Sequence, residues 1–177
     1  MVHKKRGYFF IIDAVLALII IVIGVFLINS SYVKIPQTTQ VGLLSDDLIS
    51  FLSNTKLKNL NNEYAGFGGE LWNQKLIHDS DNSLLQQIGE FYATKNFDIA
   101  EKFIQNVSRD VIPSQFEYEV LINGQLLYPR NPTIQHNISK QNTKIMLTSK
   151  LLTFGIVNAT SSEIWGPYKA EVFVWER

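Results

Sequence analysis

Apolar residues fall along this chain in three successive patterns: an unbroken run, then helical spacing, then alternation. The run occupies residues 8–28 (YFFIIDAVLALIIIVIGVFLI), with Asp13 as its one charged residue. As a helix rising 1.5 Å per residue it measures roughly 30 Å, the hydrocarbon thickness of a bilayer, which predicts a transmembrane helix. His3-Lys4-Lys5-Arg6-Gly7 precedes it and the uncharged Asn29-Ser30-Ser31 follows. Positive charge on the N-terminal side alone makes residues 1–7 a basic cytoplasmic leader and places the chain beyond a linker at 29–37 outside the cell, in a single-pass arrangement. The run exceeds the about 7–15 apolar residues of a secretory signal. Leu27-Ile28-Asn29-Ser30-Ser31 is also a poor small-x-small cleavage site, so the segment reads as a retained anchor in contact with membrane lipid.

Helical spacing follows. Val41, Leu44, Leu48, Phe51 and Leu52 recur at i, i+3, i+4 intervals over residues 40–54 and predict an amphipathic helix, with Asp46, Asp47 and Ser50 turned outward. Pro36 disfavours helix at Ile35 and sets a break before it. Residues 56–83 are irregular. The glycines of Ala65-Gly66-Phe67-Gly68-Gly69 suit turns, and Tyr64 and Trp72 are candidates to fix this loop to a core. A second helix, capped by Asp81 or Ser83, runs to about Lys95 with Leu84, Leu85, Ile88, Phe91 and Tyr92 on one side. Lys95-Asn96 links it to a third over 98–112, which ends at Ile112-Pro113.

From Pro113 the period becomes two. In residues 115–122 (QFEYEVLI) Phe116, Tyr118 and Val120 share one face, and Glu117 and Glu119 share the other, which alternation makes solvent-facing. Asn123-Gly124 predicts a tight hairpin into residues 125–128. Residues 129–141 read as a polar loop, 144–156 as one or two strands with Gly155 at a bulge or bend, and Trp165-Gly166-Pro167 as a turn into a last strand over 168–175. In that strand Tyr168, Ala170, Val172 and Val174 alternate with Lys169, Glu171, Phe173 and Trp175. Either both of its faces are covered, or Phe173 and Trp175 form an exposed aromatic patch. The predicted fold class is α+β: a long N-terminal transmembrane helix, short helices through 38–112, and a C-terminal antiparallel β-sheet over 113–177 in the same extracytoplasmic domain.

Composition narrows the chemistry. The chain has 16 basic and 16 acidic residues; three of the former and one of the latter belong to the N-terminal segment, which leaves a net charge of −2 beyond it. A nucleic-acid partner needs clustered Lys and Arg and is not expected. The 177 residues include no cysteine, which excludes disulfides, thiolate metal sites and cysteine nucleophiles. His78 with Asp79 and Asp81 reads as a solvated polar loop rather than a metal site, and no His-Glu-x-x-His or Gly-x-Ser-x-Gly pattern occurs. The chain is therefore not expected to be an enzyme, nor to hold a cofactor or metal. Asn-x-Ser/Thr acceptors stand at Asn29, Asn106, Asn137 and Asn158; the last three, well clear of the anchor, are candidate glycosylation sites.

Lys4-Lys5-Arg6-Gly7 followed by an aromatic and apolar run with one early acid resembles the class III signal peptide of archaeal type IV pilin-like proteins. The later stretches IGEFYATKNFDIAEKFIQNV, FEYEVLINGQLLY and WGPYKAEVFVWE are similar to the layout of such surface proteins, so the resemblance covers most of the chain. It implies cleavage by a prepilin-type peptidase between Gly7 and Tyr8. The acid either sits near the interface and reaches water or Arg6, or pairs with a neighbouring subunit's new N-terminal amine. In the family that acid is a glutamate at the fifth mature position; here it is Asp13, at the sixth. The function so implied is that of a membrane-anchored surface subunit acting in filament assembly or adhesion, with copies of itself or related subunits as partners. The alternative is a single-pass anchored binding module that does not polymerise.

Overall fold

The computed structural model describes the backbone of residues 4–30, 37–158 and 163–177, and the side chains of residues 11–26, 41–156 and 163–177. Two compact units result, Met1–Pro36 and Gln37–Arg177. The first contains one helix, α1 (Lys4–Ser30). The break expected at Ile35-Pro36 lies outside the described residues.

The transmembrane helix expected over residues 8–28 is corrected: among the described residues no helix is long and apolar enough to cross a membrane. The part of α1 whose side chains are described, residues 11–26, is apolar apart from Asp13.

The second unit opens with α2 (Gln37–Asn54), a short 3-10 turn (Leu57–Asn59), α3 (Glu70–Asn73), α4 (Leu84–Ala93) and α5 (Phe97–Ser108). α2 forms as its spacing requires: Val41, Leu48, Ile49 and Leu52 are buried, with Leu44 and Phe51 packed beside them. Ser83, not Asp81, caps α4. Its Oγ accepts from the Gln86 N–H at 3.1 Å, and the Gln86 side chain accepts from the Ser83 N–H at 2.9 Å, a reciprocal box that satisfies two otherwise unpaired donors. Lys95 adopts a positive φ of 61° and turns the chain sharply into α5. That helix stops at Ser108, short of the expected Ile112. The Ser108 hydroxyl is buried between the Ile104 carbonyl and the Tyr118 hydroxyl, the latter 2.6 Å away.

β1 (Phe116–Ile122) and β2 (Gln125–Tyr128) form the hairpin, with Asn123 and Gly124 at φ 50° and 80° as a primed turn demands. Then comes α6 (Ile134–Asn142), where a polar loop was expected, followed by β3 (Met146–Asn158) and β4 (Glu163–Glu176). The four strands are antiparallel in the order β2-β1-β4-β3. The expected turn at Trp165-Gly166-Pro167 does not occur; β4 runs through it. There β4 pairs only with β3, across a register shift between Thr153 and Gly155, so the proline removes no donor that the ladder needs. Trp165 thereby packs over Gly89 of α4. A Cβ at Gly89 would lie 2.2 Å from the indole, so only glycine fits.

The helices pack on one sheet face. Val120, Ile122, Ala170, Val172 and Val174 are fully buried there, against Leu84, Ile88, Phe91, Phe103 and Ile104. Phe91 and Phe103 meet edge-on at 5.6 Å. One charged group is drawn into this layer: Glu90 of α4 is 3% exposed, with Asn82 donating to it at 3.4 Å.

Burial, reinforced by the negative charge of Asp79, pushes the Glu90 carboxyl up to about 7 from 4.5. The folded state therefore holds this proton more tightly than the unfolded chain. Glu90's relative contribution is greatest below pH 4.5 and is lost as pH rises through 7. Glu90→Gln should raise stability by about 1–2 kcal/mol at pH 8 and change it little at pH 4.5, as read from urea unfolding at the two pH values.

Candidate functional site

The opposite face of the sheet carries the feature that sequence reasoning did not find. Ladder register sets Glu117 opposite Trp175 and Glu119 opposite Phe173, all pointing away from α2, α4 and α5. α6 lies over them. Thr133 caps α6, its Oγ1 accepting from the His136 N–H at 3.2 Å, and the helix turns His136, Ser139 and Lys140 towards the sheet. The His136 ring sits edge-on to Trp175 at 4.9 Å. Its Nδ1 is 3.0 Å from Glu117 Oε2, and its Nε2 is 3.4 Å from Glu119 Oε1.

Two further cations close the cluster. Lys140 Nζ donates to both oxygens of Glu119, at 2.6 and 2.8 Å, and lies 5.9 Å from the Trp175 ring centre. Arg177 Nε donates to Glu117 Oε1 at 2.6 Å. The Trp175 indole N–H donates to Ser139 Oγ at 3.0 Å. The glutamates expected to face solvent are thus covered: Glu119 is 5% exposed, because α6 replaces the water that alternation assumed. The question left open at Phe173 and Trp175 is also answered. Trp175 is fully buried and Phe173 half-buried, so both faces of β4 are covered at this end.

All four carboxylate oxygens of Glu117 and Glu119 are engaged by cations or by the imidazole. A network satisfied in this way fixes geometry. The cluster works as a clamp holding α6 to the sheet. Farther along the same face, Glu171 lies between Lys150 at 3.1 Å and Lys169 at 3.0 Å; its hydrogen bond from Lys169 holds its carboxyl below the usual range.

The residues singled out from sequence lie apart from this clamp and from one another. Gly7 and Tyr8 are in the backbone of α1, with side chains outside the described residues. Asp13 is exposed on α1. Asn106 on α5 and Asn137 on α6 are exposed, with room for a glycan. The hydroxyls of their motifs, Ser108 and Ser139, are buried and hydrogen-bonded. Asn158 ends β3, its side chain outside the described residues, as is that of Asn29 in α1. His78 is exposed. Nearby Asp81 pairs with Lys58 and Lys56, which lower its carboxyl's pKa, and among the described residues no group of three His, Asp or Glu side chains could hold a metal.

No protein-family model matches the chain, and neither a curated protein nor a solved structure matches it.

Glu119→Ala leaves Lys140 and His136 facing a buried gap and should cost about 3 kcal/mol, whereas Glu117→Ala, at the more open end, should cost about 1 kcal/mol. Denaturant unfolding measures both. Equal losses under 0.5 kcal/mol (about the experimental floor) would contradict the clamp.

Proposed function

We propose that the chain is a type IV pilin-like surface subunit that works by assembly and presentation. The observation that carries this reading is α1. Over residues 11–26 its large apolar side chains are exposed on every side, from 41% at Ile12 to 72% at Phe26. A helix apolar all round is at home only when something apolar surrounds it. Helices of further copies, or of related subunits, supply that cover at the cell surface.

Within such a packing Asp13 is the one polar side chain among residues 11–26. Cleavage by a prepilin-type peptidase after Gly7 would free the amine of Tyr8. The Asp13 carboxylate of one subunit would then pair with that amine on the next, an ion pair strengthened by the apolar surroundings. Residues 37–177 form the presented body, on which the exposed Asn137 would carry a glycan. Leu152, Phe154, Ile156 and Ile164, exposed together on the β3–β4 pair at 54–73%, offer this body its own apolar contact with a neighbour.

N-terminal sequencing and intact mass of the protein from its native membranes should give a start at Tyr8. Asp13→Ala should leave the amount of protein unchanged but reduce its recovery in high-mass assemblies at least about fivefold. Normal assembly of Asp13→Ala would remove the pairing role of Asp13, and a start at Met1 together with no high-mass assemblies of the unaltered chain would favour a lone anchored binding module instead.

A further inference from the structure

Beside the clamp, where α5 ends and β1 begins, lies a cleft of about 570 Å³, within the size range of small-molecule sites. We infer that it binds a small hydroxylated ligand bearing a carboxylate, of the class of acidic sugars. This goes beyond assembly through α1, because every residue involved belongs to the unit Gln37–Arg177.

The walls carry the chemistry. Arg109, just after α5, lines the cleft and is exposed. Arg130 pairs with Asp98 and Arg177 with Glu117, but Arg109 has no carboxylate partner among the described residues. The cation is well placed against the C-terminal end of α5, which accounts for its presence but not for the cleft around it. A guanidinium presents a planar fork that matches a carboxylate through two parallel hydrogen bonds. Arg177 gives the same wall a second guanidinium.

Glu117 also lines the cleft, yet it does not cancel this attraction. Its Oε1 is taken by Arg177 and its Oε2 by His136, so its charge is already compensated. The net bias of the mouth is positive. Tyr128 supplies an aromatic surface whose place is fixed from behind: it stacks on Tyr118 at 4.8 Å, and Tyr118 is itself anchored to Ser108. Asn106 completes the set. Its Nδ2 donates to the Lys102 carbonyl at 2.8 Å, which leaves Oδ1 to accept from a ligand hydroxyl.

Guanidinium fork, rigid aromatic face and amide acceptor converge on one opening with largely polar walls. An apolar ligand would waste the donors, and a bare inorganic anion would waste the ring. A sugar carboxylate uses all three: the charge on Arg109, the C–H face of the ring on Tyr128, and a hydroxyl on Asn106. A glycan attached at Asn106 would fill the same space, so the protein tested must be free of it.

The experiment uses the full chain in detergent, expressed without N-glycosylation, with D-galacturonate as probe and D-galactose and inorganic phosphate as controls. Side-chain NMR signals of Arg109 and Tyr128 are followed through each titration. Galacturonate should shift both with millimolar affinity, galactose should bind at least tenfold more weakly, and Arg109→Gln, at an exposed position, should weaken galacturonate about tenfold with the fold intact. Equal binding of galactose, an unchanged affinity in Arg109→Gln, or no shift with galacturonate would each overturn the inference. Phosphate competing as well as galacturonate would reduce the site to a general anion contact and overturn the sugar assignment.

Discussion

The body of this protein depends on β4 being covered on both faces. It is the central strand, hydrogen-bonded to β1 on one side and β3 on the other. Its even-numbered residues from Ala170 to Val174 are sealed by the helical layer, and its opposite face ends in the fully buried Trp175. A strand covered on one side would place that indole in water. Here α6 covers it with a surface that is polar rather than apolar, and the cost of burying charge is offset by pairing every carboxylate oxygen beneath the helix.

Much of the architecture was legible, for identifiable reasons. α2 announces itself through Val41, Leu48 and Leu52, the hairpin through Asn123-Gly124, and the α4 cap through Ser83 followed by Gln86. Each is a local signal, decided by residues within a few positions of one another. α6 was missed because its amphipathicity is inverted. Ile134 and Ile138 are exposed, at 80% and 44%, while His136 and Ser139 are buried. The signal that could have found it was the Thr133 cap, together with a charged strand face that lay in register with a tryptophan. Glu117 and Glu119 were misjudged for the same reason, since alternation reports which side of a strand a residue takes and not what lies over that side.

α1 poses a different problem. Its pattern invited a membrane-crossing helix, but among the described residues no helix is long and apolar enough to cross a membrane, and the large apolar side chains of residues 11–26 are exposed. Length alone therefore does not decide what α1 does. What sets α1 apart is its apolar surface on every side and the isolated acid near its start. The compact body, with its clamp and its cleft, is a unit of its own, distinct from that helix.

Contact between copies of α1 is the central claim, and the absence of cysteine makes it directly measurable. Single cysteines placed in turn at Leu18, Ile19, Ile20, Ile21 and Val22, treated in native cells with a long flexible bis-maleimide that spans the offset between neighbouring helices, would report whether α1 meets another copy. Assembly with cover all round predicts cross-linked dimers at each of the five positions. No dimer at any of the five positions, in cells that contain the protein at normal levels, would contradict it.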